Sequence, residues 1–113
     1  MLVVALAGLS IQQSVRADED RLVAGRLLME HWCLPCHDSG RGHPGTMQLA
    51  LREGAQRSVL LERTDITKEL IAAVVRNGLH MMPPFRPTEL TDEDIAAIGA
   101  YVEAVRDRKV RAQ

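Results

Sequence analysis

Aromatic residues are scarce: among 113 residues there is one Trp, one Tyr and one Phe. A domain this short closes a core with difficulty on so little bulk, and commonly needs a staple such as a metal, disulfides or a large cofactor. An excess of charge of one sign is also missing. The formal net charge is -1, and no basic patch is interleaved with aromatics, which excludes a nucleic-acid surface. Charges gather only at Asp18-Glu19-Asp20 and in a tail of Arg106, Arg108, Lys109 and Arg111, both read as solvated surface. No apolar run reaches the roughly 20 residues of a comfortable membrane helix, so membrane anchoring is not expected. One domain is expected from the length.

The two cysteines that are present stand in Cys33-Leu34-Pro35-Cys36-His37. C-x-x-C-H is the attachment signature of c-type haem, two thiols for the haem vinyl groups and an iron-ligating histidine. On a helical turn, positions i, i+3 and i+4 share a face. Cys33, Cys36 and His37 can therefore address one macrocycle, and a buried haem supplies the apolar bulk that the aromatics do not. A thioredoxin-like redox pair would need a βαβ context, and no strand pattern surrounds the motif. Half a zinc site would draw on His31, His43 or His80 at irregular spacing. A structural disulfide leaves the adjoining histidine unexplained.

Residues 1–17 read as a signal peptide. Leu2 to Leu9 is a short apolar run and Val15-Arg16-Ala17 ends in the small residue that a cleavage site wants, so the cut is expected after Ala17 and the domain spans 18–113. No Lys or Arg precedes the apolar run, as it would in an ordinary signal; the start codon lies upstream or the signal is unusual. Helical periodicity then covers about Asp20 to Trp32, with Val23, Leu27 and Leu28 as its apolar stripe. Gly25 interrupts good helix formers at a cost of about 1 kcal/mol, which a closely crossing helix would explain. Residues 38–45 are turn chemistry throughout, and a carbonyl of that loop can accept the free N–H of His37. His43 is read as a loop residue, not a ligand. Thr46 is expected to cap a helix through about Arg52 that ends at Gly54. Residues 59–62 fit a short helix or extended chain equally. Thr64 or Thr67 starts a helix that buries Leu70, Ile71, Val74 and Val75 and stops at Asn77-Gly78. Thr91 opens the last helix with a capping-box pattern, and Ile95, Ile98, Tyr101, Val102 and Val105 follow at helical spacing.

Between the last two helices lies Leu79-His80-Met81-Met82-Pro83-Pro84-Phe85. Two prolines forbid helix and stiffen the backbone, which suits a loop that presents a thioether to iron. Successive side chains of extended chain point to opposite sides, so only one methionine can face the metal. Met82, confined by Pro83, is the better determined of the two; Met81 then points outward, and His80 is the remaining alternative.

With these residues the chain resembles the class I cytochrome c family from Asp18 to Val105. The resemblance implies an all-α fold of about four short helices around one covalently bound haem c. It places Gly25 two turns before the first cysteine, against an aliphatic and an aromatic of the last helix that match Ile98 and Tyr101. Met29 stands where the family has an aromatic, which implies a looser crossing. The family's Met-Pro-x-Phe loop puts the sixth iron ligand on Met82, and its loop carbonyl to the ligating histidine falls on Pro44. The implied haem-binding set is Cys33, Cys36, His37, Pro44 and Met82, with His37 and Met82 on iron. More narrowly, Val74 to Gly78 leading into Met82-Pro83-Pro84-Phe85 is similar to the small cytochrome subunits of p-cresol methylhydroxylase-type flavocytochromes.

The expected function is electron transfer, not catalysis. Two protein ligands leave no open coordination site, and a methionine ligand raises the potential. The expected partner is a periplasmic flavoprotein dehydrogenase, with a freely diffusing carrier to a terminal oxidase as the alternative. A haem enzyme or sensor would need a labile sixth ligand, and no catalytic His–Arg pair stands out.

Overall fold

No proline interrupts the sequence between Val3 and Trp32, and the backbone there is one helix. The computed structural model describes the backbone of residues 3–113 and the side chains from residue 11 onward. Five α-helices follow one another: α1 (Val3–Trp32), α2 (Leu34–His37), α3 (Pro44–Glu53), α4 (Lys68–Asn77) and α5 (Asp92–Arg111). Short 3-10 turns at Ala55–Arg57 and Leu60–Glu62 join α3 to α4, and no strand is present among the described residues. The fold is the expected all-α arrangement, with α2 as an additional turn of helix that carries the cysteine motif. α1 is longer than the expected Asp20–Trp32 and passes through the segment read as a leader. Of that segment, residues 1 and 2 lie outside the described residues. Residues 11–21 are all exposed.

The terminal helices cross at Gly25. A Cβ there would overlap the Ala97 carbonyl and come within 2.9 Å of Tyr101 Cβ. Only hydrogen permits this approach, which repays the helix cost of glycine by closing the core. The face of α1 turned to α5 is therefore centred on Gly25 and Met29, one turn apart. That corrects the expected stripe: Val23 and Leu27 are exposed, while Met29 is fully buried beside Ile98 and Val102. Met29 fills the position that the family gives to an aromatic, packed in the same cluster as Leu90, Ile95 and Val75. A flexible thioether chain adapts to such a gap.

α5 begins as its sequence dictates. Thr91 accepts from the Asp94 N–H, and the Asp94 carboxylate accepts in return from the Thr91 N–H at 2.9 Å, a reciprocal cap. α4 is capped by Thr67, whose hydroxyl oxygen accepts from the Leu70 N–H. Its buried face is narrower than expected: Val75 is buried, Ile71 and Val74 are half-buried, and Leu70 is exposed. The approach of α4 to α5 depends on Gly99, where a Cβ would lie 2.7 Å from Lys68 Cβ.

Candidate functional site

The motif occupies the junction of α1 and α2. The N–H of Cys33 still donates to Met29 in helical register, and the N–H groups of Cys36 and His37 both donate to the Cys33 carbonyl at 3.1 and 2.9 Å. Pro35 stands in the first turn of α2, where its missing N–H costs nothing. The two thiols are free, Cys33 half-buried and Cys36 exposed. Burial, with a smaller push from Cys36, raises the Cys33 thiol to about 11, so it holds its proton until it reacts. Burial also lowers the His37 pKa and so favours the neutral imidazole, the form that binds metals.

The His37 ring lies against Gly45. A Cβ on Gly45 would meet His37 Cε1 at 2.6 Å, the Cys36 carbonyl at 2.7 Å and His37 Nδ1 at 2.8 Å. His37 Nδ1 is buried and has no hydrogen-bond partner among the described residues. The bond expected from His37 to the Pro44 carbonyl is therefore not made here. Pro44 instead begins α3 at its first turn. With the Nδ1 edge covered by Gly45, Nε2 is the nitrogen left for a metal.

Two side chains shape the loop that brings Gly45 to this place. His43 Nδ1–H donates to the Pro35 carbonyl at 3.0 Å. Thr46 Oγ1–H donates to the Asp38 carbonyl at 2.7 Å. Thr46 was expected as the cap of this helix; it is instead buried within the first turn, and the cap position falls to His43. The physical reason is Pro44, whose fixed φ is preorganised for the first helical position and moves the start three residues earlier. Gly45 and the tethering roles of Thr46 and His43 were not found from sequence. The signal for them was Pro44, placed to open a helix.

The methionine loop is held differently. Leu79 and Met82 exchange both backbone hydrogen bonds, at 3.0 and 2.9 Å, which makes His80-Met81 the tip of a tight turn. His80 takes a positive φ of 54° and Gly78 one of 71°. Met81 at the tip is 78% exposed, whereas Met82 is half-buried and packs against the core cluster. The N–H of Phe85 donates to Val75 at 2.8 Å, and its ring meets Trp32 edge-on. Cys33 and Met82 thus lie against one core cluster, joined by the contact between Trp32 and Phe85.

Two thiols and a neutral imidazole on one helical turn, a ring edge seated on a glycine and a thioether drawn to the same cluster fit a covalently held haem. No helix among the described residues is long and apolar enough to cross a membrane. A family model described as "Cytochrome C oxidase, cbb3-type, subunit III" matches residues 20–102, which is most of the chain and includes every residue of this site. No curated protein and no solved structure matches the chain.

Proposed function

The chain belongs to the family described as cytochrome C oxidase, cbb3-type, subunit III, and from that membership we propose that it is a mono-haem electron carrier whose iron is held by His37 and Met82. The cofactor is haem c. Its attachment needs no oxidant: each thiol of Cys33 and Cys36 adds sulfur and hydrogen across a vinyl double bond. Bound haem supplies a one-electron ferric–ferrous couple. The work of the polypeptide is to hold, orient and shield. His37, kept neutral by burial and seated on Gly45, would offer Nε2 to the iron. Met82 would offer its sulfur, and its backbone pairing with Leu79 restricts where that sulfur can go. Pro44, at the start of α3, sets the position of Gly45 beside the ring. An iron held by both side chains would leave a substrate no place to bind, which is the physical reason for a carrier over an enzyme.

The seating of the His37 ring on Gly45 carries this reading, because it leaves a metal-ready nitrogen directly after Cys36 and one turn after Cys33, both free thiols. The family description favours transfer towards an oxidase. On the donor side, the similarity of residues 74–85 to flavocytochrome subunits of the p-cresol methylhydroxylase type supports a flavoprotein dehydrogenase. We place the carrier in the periplasm, with residues 1–17 removed as a leader. Cleavage after Ala17 leaves Asp18-Glu19-Asp20 in the first turn of the mature helix, where acidic residues suit the dipole.

The test is expression with the haem-attachment machinery, followed by acid–organic extraction, visible spectroscopy and N-terminal sequencing of the exported protein. Haem that resists extraction, a low-spin spectrum in both oxidation states and an Asp18 terminus are expected. Extractable haem or a high-spin ferrous spectrum would overturn the carrier, and a terminus elsewhere would overturn the leader alone.

A further inference from the structure

The loop that carries Met82 has few bonds of its own. Pro83 and Pro84 have no N–H, so after Met82 the path donates nothing until Phe85. Upstream, the turn demands a positive φ at His80, which costs a side-chain-bearing residue about 1–2 kcal/mol. Such a segment stays in one conformation only if something outside it holds its exit.

We infer that Arg76 is the positioning residue of this loop, and that it sets how firmly Met82 is presented to iron. Arg76 sits in the last turn of α4, where a cation is favoured by the helix dipole. Its Nη1 donates to the Phe85 carbonyl at 3.2 Å. Its Nε and Nη2 donate to Asp92 Oδ1 at 3.1 and 2.6 Å. One planar fork thus joins the end of α4, the exit of the loop and the first turn of α5. No other side chain among the described residues hydrogen-bonds to residues 78–85. Phe85 is held at both backbone groups, its N–H by Val75 and its carbonyl by Arg76. Asp92 is itself almost fully exposed, at 94% of its side chain, so its part is to orient the guanidinium and not to fill space.

The inference rests on Met82 being the sixth ligand. A loop released at its exit loses Met82 to a competing ligand more readily, while the covalent haem and the His37 bond remain. The experiment is titration of the oxidised holoprotein with imidazole, read as loss of the sulfur-to-iron charge-transfer band, with thermal melting run in parallel. Arg76→Gln should bind imidazole about tenfold more tightly, the order expected for losing a charge-assisted hydrogen bond. Arg76→Lys keeps the charge but not the fork, and should recover only part of the difference. Asp92→Asn should show a gain of about threefold. Glu93→Gln lies in the same turn of α5 without touching Arg76, and should match the parent protein.

A merely structural role would lower the melting temperature without selecting these variants for tighter imidazole binding. Equal affinities for Arg76→Gln, Asp92→Asn and the parent overturn the inference. If Arg76→Gln yields no holoprotein, Asp92→Asn against Glu93→Gln decides alone. Met82→Ala separates the two readings. Loss of the band there with no effect at Arg76 and Asp92 removes this inference and leaves the ligand assignment standing. Persistence of the band in Met82→Ala removes both.

Discussion

Trp32 and Phe85 meet edge to face, with ring centroids 5.7 Å apart and planes at 86°. They are two of the three large aromatics in the chain. Trp32 immediately precedes the first haem cysteine and Phe85 closes the methionine loop, so one contact couples the cysteine motif to that loop. Such pairs contribute about 0.5–1.5 kcal/mol beyond their buried area. A protein this poor in aromatics spends them where the halves of its site must be held in register.

The crossing at Gly25 gives a first prediction. Gly25→Ala places a Cβ into the Ala97 carbonyl, which neither backbone can avoid without parting the helices over Met29 and Ile98. The loss should be about 3 kcal/mol or more, the upper end for overpacking. Gly54→Ala is the comparison. That glycine needs a φ of +93° and its Cβ would meet only the flexible end of Gln56, so the cost should stay at about 1–2 kcal/mol. Thermal melting of the two holoproteins compares them, and an equal or larger loss at Gly54 would show that the crossing is not tight.

Gly45 gives a second. Gly45→Ala sets a methyl group against the His37 ring and the Cys36 carbonyl. The ring must tilt or α3 must move. We expect a lower yield of holoprotein and a shifted reduction potential, whereas Gly42→Ala should retain the parent potential. Gly42 has open space around it, so its positive φ costs stability without touching the ligand. Spectroelectrochemistry of both variants is the check, and an unchanged potential in Gly45→Ala would show that the glycine does not seat the ring.

Acid stability should depend on Asp65. Its hydrogen bond with Arg63 is the main cause that holds this carboxyl well below the usual range, and the nearby charges of Arg63 and Arg57 add to it. A carboxylate with a depressed folded-state pKa stabilises the fold above its unfolded value of about 3.9, and that contribution disappears as pH falls through the folded value. The parent should therefore lose more stability than Asp65→Asn on going from about pH 5 to pH 3. Because Asp65 is exposed to solvent, at 42% of its side chain, salt should shrink the difference. Melting at low and high ionic strength across this interval measures it; parallel curves for the two proteins would rule out a role for the pair.

Much of this was legible in the residues. Cys33, Cys36 and His37 need only helical spacing to share a face, and Thr91 with Asp94 needs only a side chain's reach to close a cap. Gly25 was legible because a mid-helix glycine has a local cost that something distant must offset. The start of α3 was read three residues late because Thr46 is a good cap by type, and the competing preference of Pro44 for the first helical position prevailed. Val23 and Leu27 misled because apolar spacing identifies a helix but not which of its faces another helix will choose; the smallest residue, Gly25, made that choice. Arg76 was not legible at all. Its partners, Phe85 and Asp92, lie 9 and 16 residues away, and only the fold brings them within reach of one guanidinium.

The choice between two adjacent sulfurs is the sharpest test of the site. Extended chain would turn Met81 and Met82 to opposite sides for reasons of pleat alone. In the structure the separation has a firmer cause. Leu79 and Met82 pair through both backbone groups, and His80 takes a left-handed φ so that the chain can reverse between them. Met81 is then left at the tip with 78% of its surface exposed, while Met82 returns to the core cluster. To bring Met81 inward the turn would have to open, which breaks both bonds of the pair. Met82→Ala should therefore abolish the weak sulfur-to-iron band of the oxidised protein and lower its potential, because a thioether favours ferrous iron. Met81→Ala should leave band and potential unchanged and, being exposed, cost less than about 0.5 kcal/mol of stability. Survival of the band in Met82→Ala with its loss in Met81→Ala would reverse the assignment, survival in both single variants would mean that either sulfur can replace the other, and absence of the band from the parent protein would leave His80 as the candidate.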